Sequence, residues 1–266
     1  MKISFVGGGA MAEAIIAGAL GKRLASAKDI RVGEPVEERR TALSHRYNIY
    51  TTASNTESIE NADLIVLSIK PQQIDKVLEE LLGKVTKKQT IVSILAGISI
   101  KKIKEGLNFS RVIRVMPNTP AQIGEGISAW TADTSVDEPE KENVRSILQG
   151  LGHEVYIQDE SYLDIATALS GSGPAYVFLF IESLADAGIQ LGINEGISYK
   201  LALQTVLGSA KLVQETGKSP MELRHMVTSP QGTTEAAIKD LDLNHFREII
   251  FSAVQAAYKR SKELGG

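Results

Sequence analysis

Ile3-Ser4-Phe5-Val6-Gly7-Gly8-Gly9-Ala10-Met11-Ala12, close to the start of the chain, decides how the rest is read. Four residues of β character run into three glycines, and the glycines run into an alanine- and glycine-rich helix that extends to Leu20. Such a helix can lie close against a sheet. Gly7 permits the tight turn after the strand, Gly9 lets the backbone approach a pyrophosphate, and Ala12 replaces the third glycine where helix and strand pack. The helix start offers unpaired N–H groups and the positive end of the helix dipole. A glycine triplet alone is a weak signal, but its place between a first strand and a helix makes Gly7 to Ala12 a candidate dinucleotide site.

Working outward, β-rich runs at Ile3–Val6, Ile30–Val32, Leu64–Ile69, Thr90–Leu95 and Val112–Met116 alternate with segments long enough for crossover helices. Continuous apolar strands with helices between them predict a mostly parallel sheet covered on both faces. Gly126–Thr131 and His153–Ile157 predict two further strands around a helix at Glu138–Leu148, entered at Pro139. The strand signal ends near Asp159. Helices are expected at Tyr162–Leu169, Ala175–Ala187, Glu195–Glu215, Pro220–Met226, Thr234–Leu241 and His245–Leu264. Ser219-Pro220-Met221-Glu222 is a capping box, Asn194 and Asn244 are expected N-caps, and Gly217 a C′ stop. The fold class expected is α/β: a doubly wound Rossmann sheet over residues 1–158, followed by an all-helical domain over 159–266.

The second strand ends at Gly33-Glu34, where a carboxylate would accept hydrogen bonds from an adenosine ribose diol. A 2′-phosphate near it would meet repulsion of roughly 1–4 kcal/mol at 4 Å. This favours NADH. Arg39 and Arg40, one or two helical turns on, could offset the repulsion, which leaves NADPH open. Ligands in doubly wound sheets bind outside the carboxyl ends of the strands, so Ser68-Ile69-Lys70-Pro71 and Leu95-Ala96-Gly97 are expected to border the nicotinamide side. Lys70 is expected to set its charge near the cofactor phosphates or ribose rather than to donate a proton.

A second anion site is expected at Ser229-Pro230-Gln231-Gly232-Thr233-Thr234-Glu235, where a proline-glycine turn leads three hydroxyl side chains into a helix start. A small carboxylate suits it. Ser170-Gly171-Ser172-Gly173-Pro174-Ala175-Tyr176 is expected to interrupt the helical run with a tight corner. The apolar helix after it, Tyr176–Ile181, is expected to be buried, in the chain's own core or in a subunit interface.

With 266 residues, 43% of them hydrophobic, and a net charge of −3, the chain has the composition of a two-domain globular protein with no electrostatic footprint for nucleic acid. It contains no cysteine, which removes disulfides, thiolate nucleophiles and cysteine metal ligands. Its four histidines are scattered and have no metal-like spacing. Single apolar runs are too short to span a bilayer, so no membrane partner and a cytoplasmic location are expected. Trp130 is read as a packing residue.

Taken in order, Gly7-Gly8-Gly9-Ala10-Met11-Ala12, Ser68-Ile69-Lys70-Pro71, Met116-Pro117-Asn118-Thr119-Pro120, Leu169-Ser170-Gly171-Ser172-Gly173-Pro174-Ala175-Tyr176 and Met226-Val227-Thr228-Ser229-Pro230-Gln231-Gly232-Thr233-Thr234 resemble the motifs of the pyrroline-5-carboxylate reductase family over nearly the whole chain. The resemblance implies NAD(P)H-dependent hydride transfer to the C=N bond of 1-pyrroline-5-carboxylate, giving proline. It also implies a helical domain that forms an intertwined homodimer, able to assemble into a decamer, with the active site at the dimer interface. It assigns Gly7, Gly8, Gly9, Ala10, Met11 and Ala12 to the pyrophosphate, Asn55 to a ribose, Lys70, Pro71, Ala96 and Gly97 to the nicotinamide end, and Ser229, Gly232, Thr233 and Thr234 to the substrate. In this reading the Thr234 hydroxyl meets the ring nitrogen, and no metal is needed. Gln231 departs from the family's usual glycine, and Glu34 from the small hydroxyl residue of relatives that use NADPH. A β-hydroxyacid dehydrogenase would need a lysine soon after the glycine-rich corner, and none occurs before Lys200. A non-catalytic dinucleotide sensor is the alternative of a different class.

Overall fold

The computed structural model describes residues 1–265. Its strands are β1 Ile3–Val6, β2 Ile30–Gly33, β3 Tyr50–Thr52, β4 Leu64–Leu67, β5 Thr90–Ser93, β6 Val112–Met116, β7 Gly126–Ala132 and β8 Gly152–Tyr156. Between them run α1 Ala10–Gly21, α2 Glu37–Tyr47, α3 Asn55–Ser58, α4 Ile74–Leu81, α5 Ile100–Leu107 and α6 Glu138–Gln149. The remaining helices are α7 Tyr162–Ala166, α8 Gly173–Gln190, α9 Glu195–Thr216, α10 Pro220–Met226, α11 Thr233–Leu243 and α12 Phe246–Gly265.

The strands form one sheet in the order β3-β2-β1-β4-β5-β6-β7-β8, parallel except for the antiparallel pair β6 and β7. The chain leaves β1 toward β3 and then returns to lay β4 against the other side of β1. The switch point therefore falls between β1 and β4, which is where a doubly wound sheet opens its ligand crevice. Along β4 the side chains alternate between faces. Leu64 and Val66 join a core with α1 and α6, whereas Ile65 and Leu67 join a second core with α4 and α5. Burial on both faces explains why these strands read as continuous apolar runs.

The chain divides into two compact units, residues 1–172 with 257–266, and residues 173–256. The change from strands to helices near 159 thus precedes the division, and the end of the chain returns to the first unit. Within the second unit, Ser198 on α9 donates its hydroxyl to the Ala185 carbonyl of α8 at 2.6 Å, and a Cβ at Gly188 would lie 2.1 Å from that hydroxyl oxygen. Small residues let these two helices approach closely. The Ser219–Glu222 capping box and the Gly217 stop form as expected.

Several expectations are corrected. Strand β3 was not foreseen, because three half-exposed residues at a sheet edge carry no apolar run. Strands β4 and β5 stop at Leu67 and Ser93, so Ser68-Ile69 and Leu95-Ala96-Gly97 lie in the loops beyond. Asn244 closes α11 instead of opening α12, its amide donating to the Asp240 carbonyl. The expected corner at 170–176 is a single widened turn, Thr167–Gly171, with the Ser172 N–H bonded to the Thr167 carbonyl at 2.8 Å. A π turn absorbs an extra residue, so the path continues helically into α8 despite Pro174. Residues Tyr162–Gln190 consequently make a 29-residue stretch that is, by length and composition alone, apolar enough to cross a membrane, which separate apolar runs did not indicate. Residues 176–181 are not buried within the chain, where Phe178 and Leu179 are each 61% exposed, so of the two expected settings only a subunit interface is left.

Candidate active site

The glycine loop is fixed by backbone before any side chain acts. Gly7 has a φ of +99°, donates its N–H to the Gly33 carbonyl at 2.8 Å, and would set a Cβ 2.7 Å from the Ser68 carbonyl oxygen. Glycine is required there on both counts. Ser68 closes the crossing by donating its hydroxyl to the Gly7 carbonyl at 2.8 Å. Gly9 caps α1 in extended conformation, with nothing within 4 Å of where its Cβ would be. The first helical bond runs from the Glu13 N–H to the Gly9 carbonyl at 3.0 Å, so the N–H groups of Ala10, Met11 and Ala12 precede the ladder. Open space beside Gly9 and a start of unpaired donors fit a pyrophosphate.

At the tip of β2, Glu34 is buried and both its carboxylate oxygens are engaged. Oε2 accepts the Gly8 N–H at 2.8 Å and Oε1 the Val36 N–H at 3.0 Å. The carboxylate is therefore held at the rim of the glycine loop, beside the expected ribose position. Arg39 and Arg40, read as possible phosphate partners, hold backbone carbonyls. Arg39 donates to Gly8 at 2.5 Å and to Gly9 at 3.3 Å, and pairs with Glu13 at 2.6 Å. Arg40 donates to the carbonyls of Glu34 and Pro35 at 2.9 and 2.8 Å. Glu13 also receives Arg46 and the Tyr47 hydroxyl. Burial raises its pKa, but hydrogen bonds from Arg39 and Tyr47 and the two guanidinium charges outweigh this and hold the carboxyl below its ordinary value.

The remaining expected cofactor residues lie at strand tips of the same edge. Asn55 opens α3, with its oxygen 2.9 Å from where a Gly33 Cβ would sit, and its amide donates to Glu80 at 2.9 Å. Half-buried Ile69 packs on the α4–α5 core, and exposed Lys70 precedes a single 3-10 turn begun by Pro71. Ala96 and Gly97 form a turn with Gly97 at φ +79°. Gly97 is buried against residues 261–265, since a Cβ on it would lie 2.4 Å from the Ser261 carbonyl oxygen.

In the second unit, the turn before α11 is built as a helix start. Gly232 is the N-cap, and a Cβ there would lie 2.4 Å from the Ser229 hydroxyl oxygen. The Ala236 N–H to the Gly232 carbonyl, at 3.2 Å, is the first helical bond, leaving the N–H groups of Thr233, Thr234 and Glu235 ahead of it. Gln231 adopts φ +61°, the left-handed conformation that a glycine would take without strain, and its N–H reaches the Glu235 carboxylate at 2.9 Å. That bond, followed by the Lys239 charge, lowers the Glu235 pKa. Ser229 and Thr233 are exposed and Thr234 is half-buried in the chain.

Sequence reasoning missed one buried charge cluster. Arg114 in the middle of β6 is 3% exposed and pairs with Glu160 at 3.1 Å and Asp164 at 2.8 Å. A charged residue inside an apolar strand was its only signal. All four histidines are exposed, and no group of metal-ligating side chains occurs among the described residues. Trp130 is fully buried and stacks edge-on with Tyr156, in keeping with a packing role.

Comparison with known proteins matches these two regions separately and the chain as a whole. Residues 160–264 match the model for pyrroline-5-carboxylate reductase dimerisation, and residues 2–97 the model described as NADP oxidoreductase, coenzyme F420-dependent. A pyrroline-5-carboxylate reductase of Synechocystis sp. is 41% identical over 265 residues, covering 100% of this chain and 98% of the relative. The structure of a pyrroline-5-carboxylate reductase from Coxiella burnetii is 36% identical with a TM-score of 0.90, covering 100% of this chain and 98% of that one. The Plasmodium falciparum pyrroline carboxylate reductase with NADP bound is 32% identical with a TM-score of 0.91 and the same coverage. The chain therefore belongs to the pyrroline-5-carboxylate reductase family, oxidoreductases that act on a CH–NH group with a nicotinamide cofactor.

Proposed function

We propose that this chain reduces 1-pyrroline-5-carboxylate to proline, the last step of proline biosynthesis, with the work divided between its two helix starts. The N–H groups of Ala10, Met11 and Ala12 and the open backbone at Gly9 receive the pyrophosphate. Glu34 and Asn55 face the ribose end, while Ser68, Ile69, Lys70, Pro71, Ala96 and Gly97 border the nicotinamide end. When bound, the reduced nicotinamide supplies a hydride to the imine carbon. Glu34 supports a preference for NADH, because its carboxylate is pinned where a 2′-phosphate would come.

The N–H groups of Thr233 and Thr234 and the Ser229 hydroxyl hold the substrate carboxylate, and Gly232 keeps that approach clear of a side chain. A protonated cyclic imine is already a strong electrophile, so orientation is the main demand on the protein. The Thr234 hydroxyl meets the ring nitrogen. This reading is carried by the start of α11, where three N–H groups precede the first helical bond beside two hydroxyl side chains. The enzyme works as an intertwined homodimer able to build a decamer. In a cytoplasmic enzyme the exposed apolar faces of α8 and α9 would be covered by a second copy instead of lipid.

Thr234→Ala tests the assignment. Turnover should fall at least about tenfold, the scale of one lost hydrogen bond in a transition state, while the melting temperature stays within a few degrees. Unchanged turnover would remove Thr234 from the chemistry.

A further inference from the structure

The loop from Leu95 to Ser99, between β5 and α5, is held at two points by one buried cluster. At its far end, the Ile100 N–H donates to Glu160 Oε1 at 2.8 Å. The same oxygen accepts from Arg114 at 3.1 Å. The other arm of the guanidinium donates to Asp164 Oδ1 at 2.8 Å, and that oxygen also accepts the Ser261 hydroxyl at 3.0 Å. Ser261 is 2% exposed and belongs to the last stretch of α12. There the helix meets the loop backbone to backbone. A Cβ on Gly97 would lie 2.4 Å from the Ser261 carbonyl oxygen, and one on Gly265 would lie 2.4 Å from the Gly97 carbonyl oxygen. Arg114 thus reaches the loop by two routes, through Glu160 to its end and through Asp164 and Ser261 to its middle.

Gly97 sits in the left-handed region at φ +79°, and no side chain fits between it and the helix. The middle of the loop is consequently packed against residues more than 160 positions away in the chain. We propose that the last turn of α12, Ser261–Gly265, is a positioning element for the Ala96-Gly97 loop, and through it for the nicotinamide end of the cofactor. This rests on the reading above that Ala96 and Gly97 border that end. None of these residues need touch the cofactor, since their effect is transmitted by backbone packing.

The test compares the reduced cofactor with ADP-ribose, which lacks nicotinamide and is used in its 2′-phosphorylated form if NADPH is the better cofactor. Two variants of the full enzyme are measured, Ser261→Ala and a chain ended after Arg260. Dissociation constants for both ligands, kcat with 1-pyrroline-5-carboxylate and melting temperature are recorded. The shortened chain should bind the reduced cofactor about tenfold more weakly and turn over more slowly, with ADP-ribose affinity within twofold of the unaltered enzyme. Ser261→Ala should show the same selective loss at about threefold, and it decides the matter alone if the shortened chain does not fold. Unchanged cofactor affinity would overturn the proposal, as would parallel weakening of both ligands, which signals a general structural role. An unaltered enzyme that binds ADP-ribose tightly yet consumes no cofactor with 1-pyrroline-5-carboxylate would instead overturn the underlying functional reading.

Discussion

Glu34 accepts two backbone N–H groups at once, which holds its carboxylate at the mouth of the glycine loop. At 4 Å a phosphate charge would be disfavoured by roughly 1–4 kcal/mol. Arg39 and Arg40 are the obvious counterweights, but both are committed to carbonyl oxygens and Arg39 also to Glu13. At equal concentrations kcat/KM should therefore be higher with NADH than with NADPH. Glu34→Ser should shift the ratio toward NADPH by about tenfold, equivalent to about 1.4 kcal/mol. A clear NADPH preference in the unaltered enzyme would contradict this. The position of Glu34 was legible because a strand end after a glycine loop is a fixed landmark. The role of Arg39 was not, because a guanidinium bonding carbonyls some thirty residues earlier leaves no local pattern. Gln231 was flagged from its place in a motif, and its positive φ bears out the conformational concern.

Helices α1 and α2 are joined by Glu13, which receives Arg39, Arg46 and Tyr47. Its pKa is lowered in the folded chain, so it contributes stability above its ordinary value of about 4.3, and that contribution fades as pH falls through the lower folded value. Glu13→Gln should lose roughly 1–2 kcal/mol at pH 7, since the pairs are partly exposed. Urea midpoints should show the deficit shrinking as pH drops below about 4.3. A deficit independent of pH would mean that Glu13 acts by packing alone. At this scale the strands of the parallel sheet were readable because burial on both faces demands unbroken apolar runs. The short edge strand β3 escaped because pairing with β2, not side-chain character, makes it a strand. The sequence 170–176 misled for a different reason. Glycine and proline argue against an α-helix, yet a π turn supplies the spare residue that lets the helical path pass.

The two compact units differ in how they satisfy the hydrophobic effect. Residues 1–172 bury aliphatic side chains in two cores on either face of the sheet. In α8 and α9 only Ala185, Ser198 and Ala202 are buried, while Val177, Phe178, Leu179, Ile197, Tyr199 and Leu201 stay exposed. An unpaired apolar surface of this kind marks an interface, and the match of 160–264 to a dimerisation model accords with self-association. A sequence cannot display what covers a helix, so the apolar run 176–181 announced burial without deciding between the chain's own core and a subunit interface. Sedimentation should report a dimer or larger assembly, and Phe178→Glu should shift mass toward the monomer with loss of turnover while ADP-ribose still binds. An unaltered chain that sediments as a fully active monomer would contradict the proposed assembly. The most direct measurement follows reduced-cofactor absorbance with 1-pyrroline-5-carboxylate and with 1-pyrroline, the same ring without its acid group. Loss of several charge-assisted hydrogen bonds at the start of α11 predicts that 1-pyrroline has a kcat/KM at least about a hundredfold lower. Equal kcat/KM for the two rings, or no cofactor consumption with either, would contradict a carboxylate held by Ser229, Thr233 and Thr234.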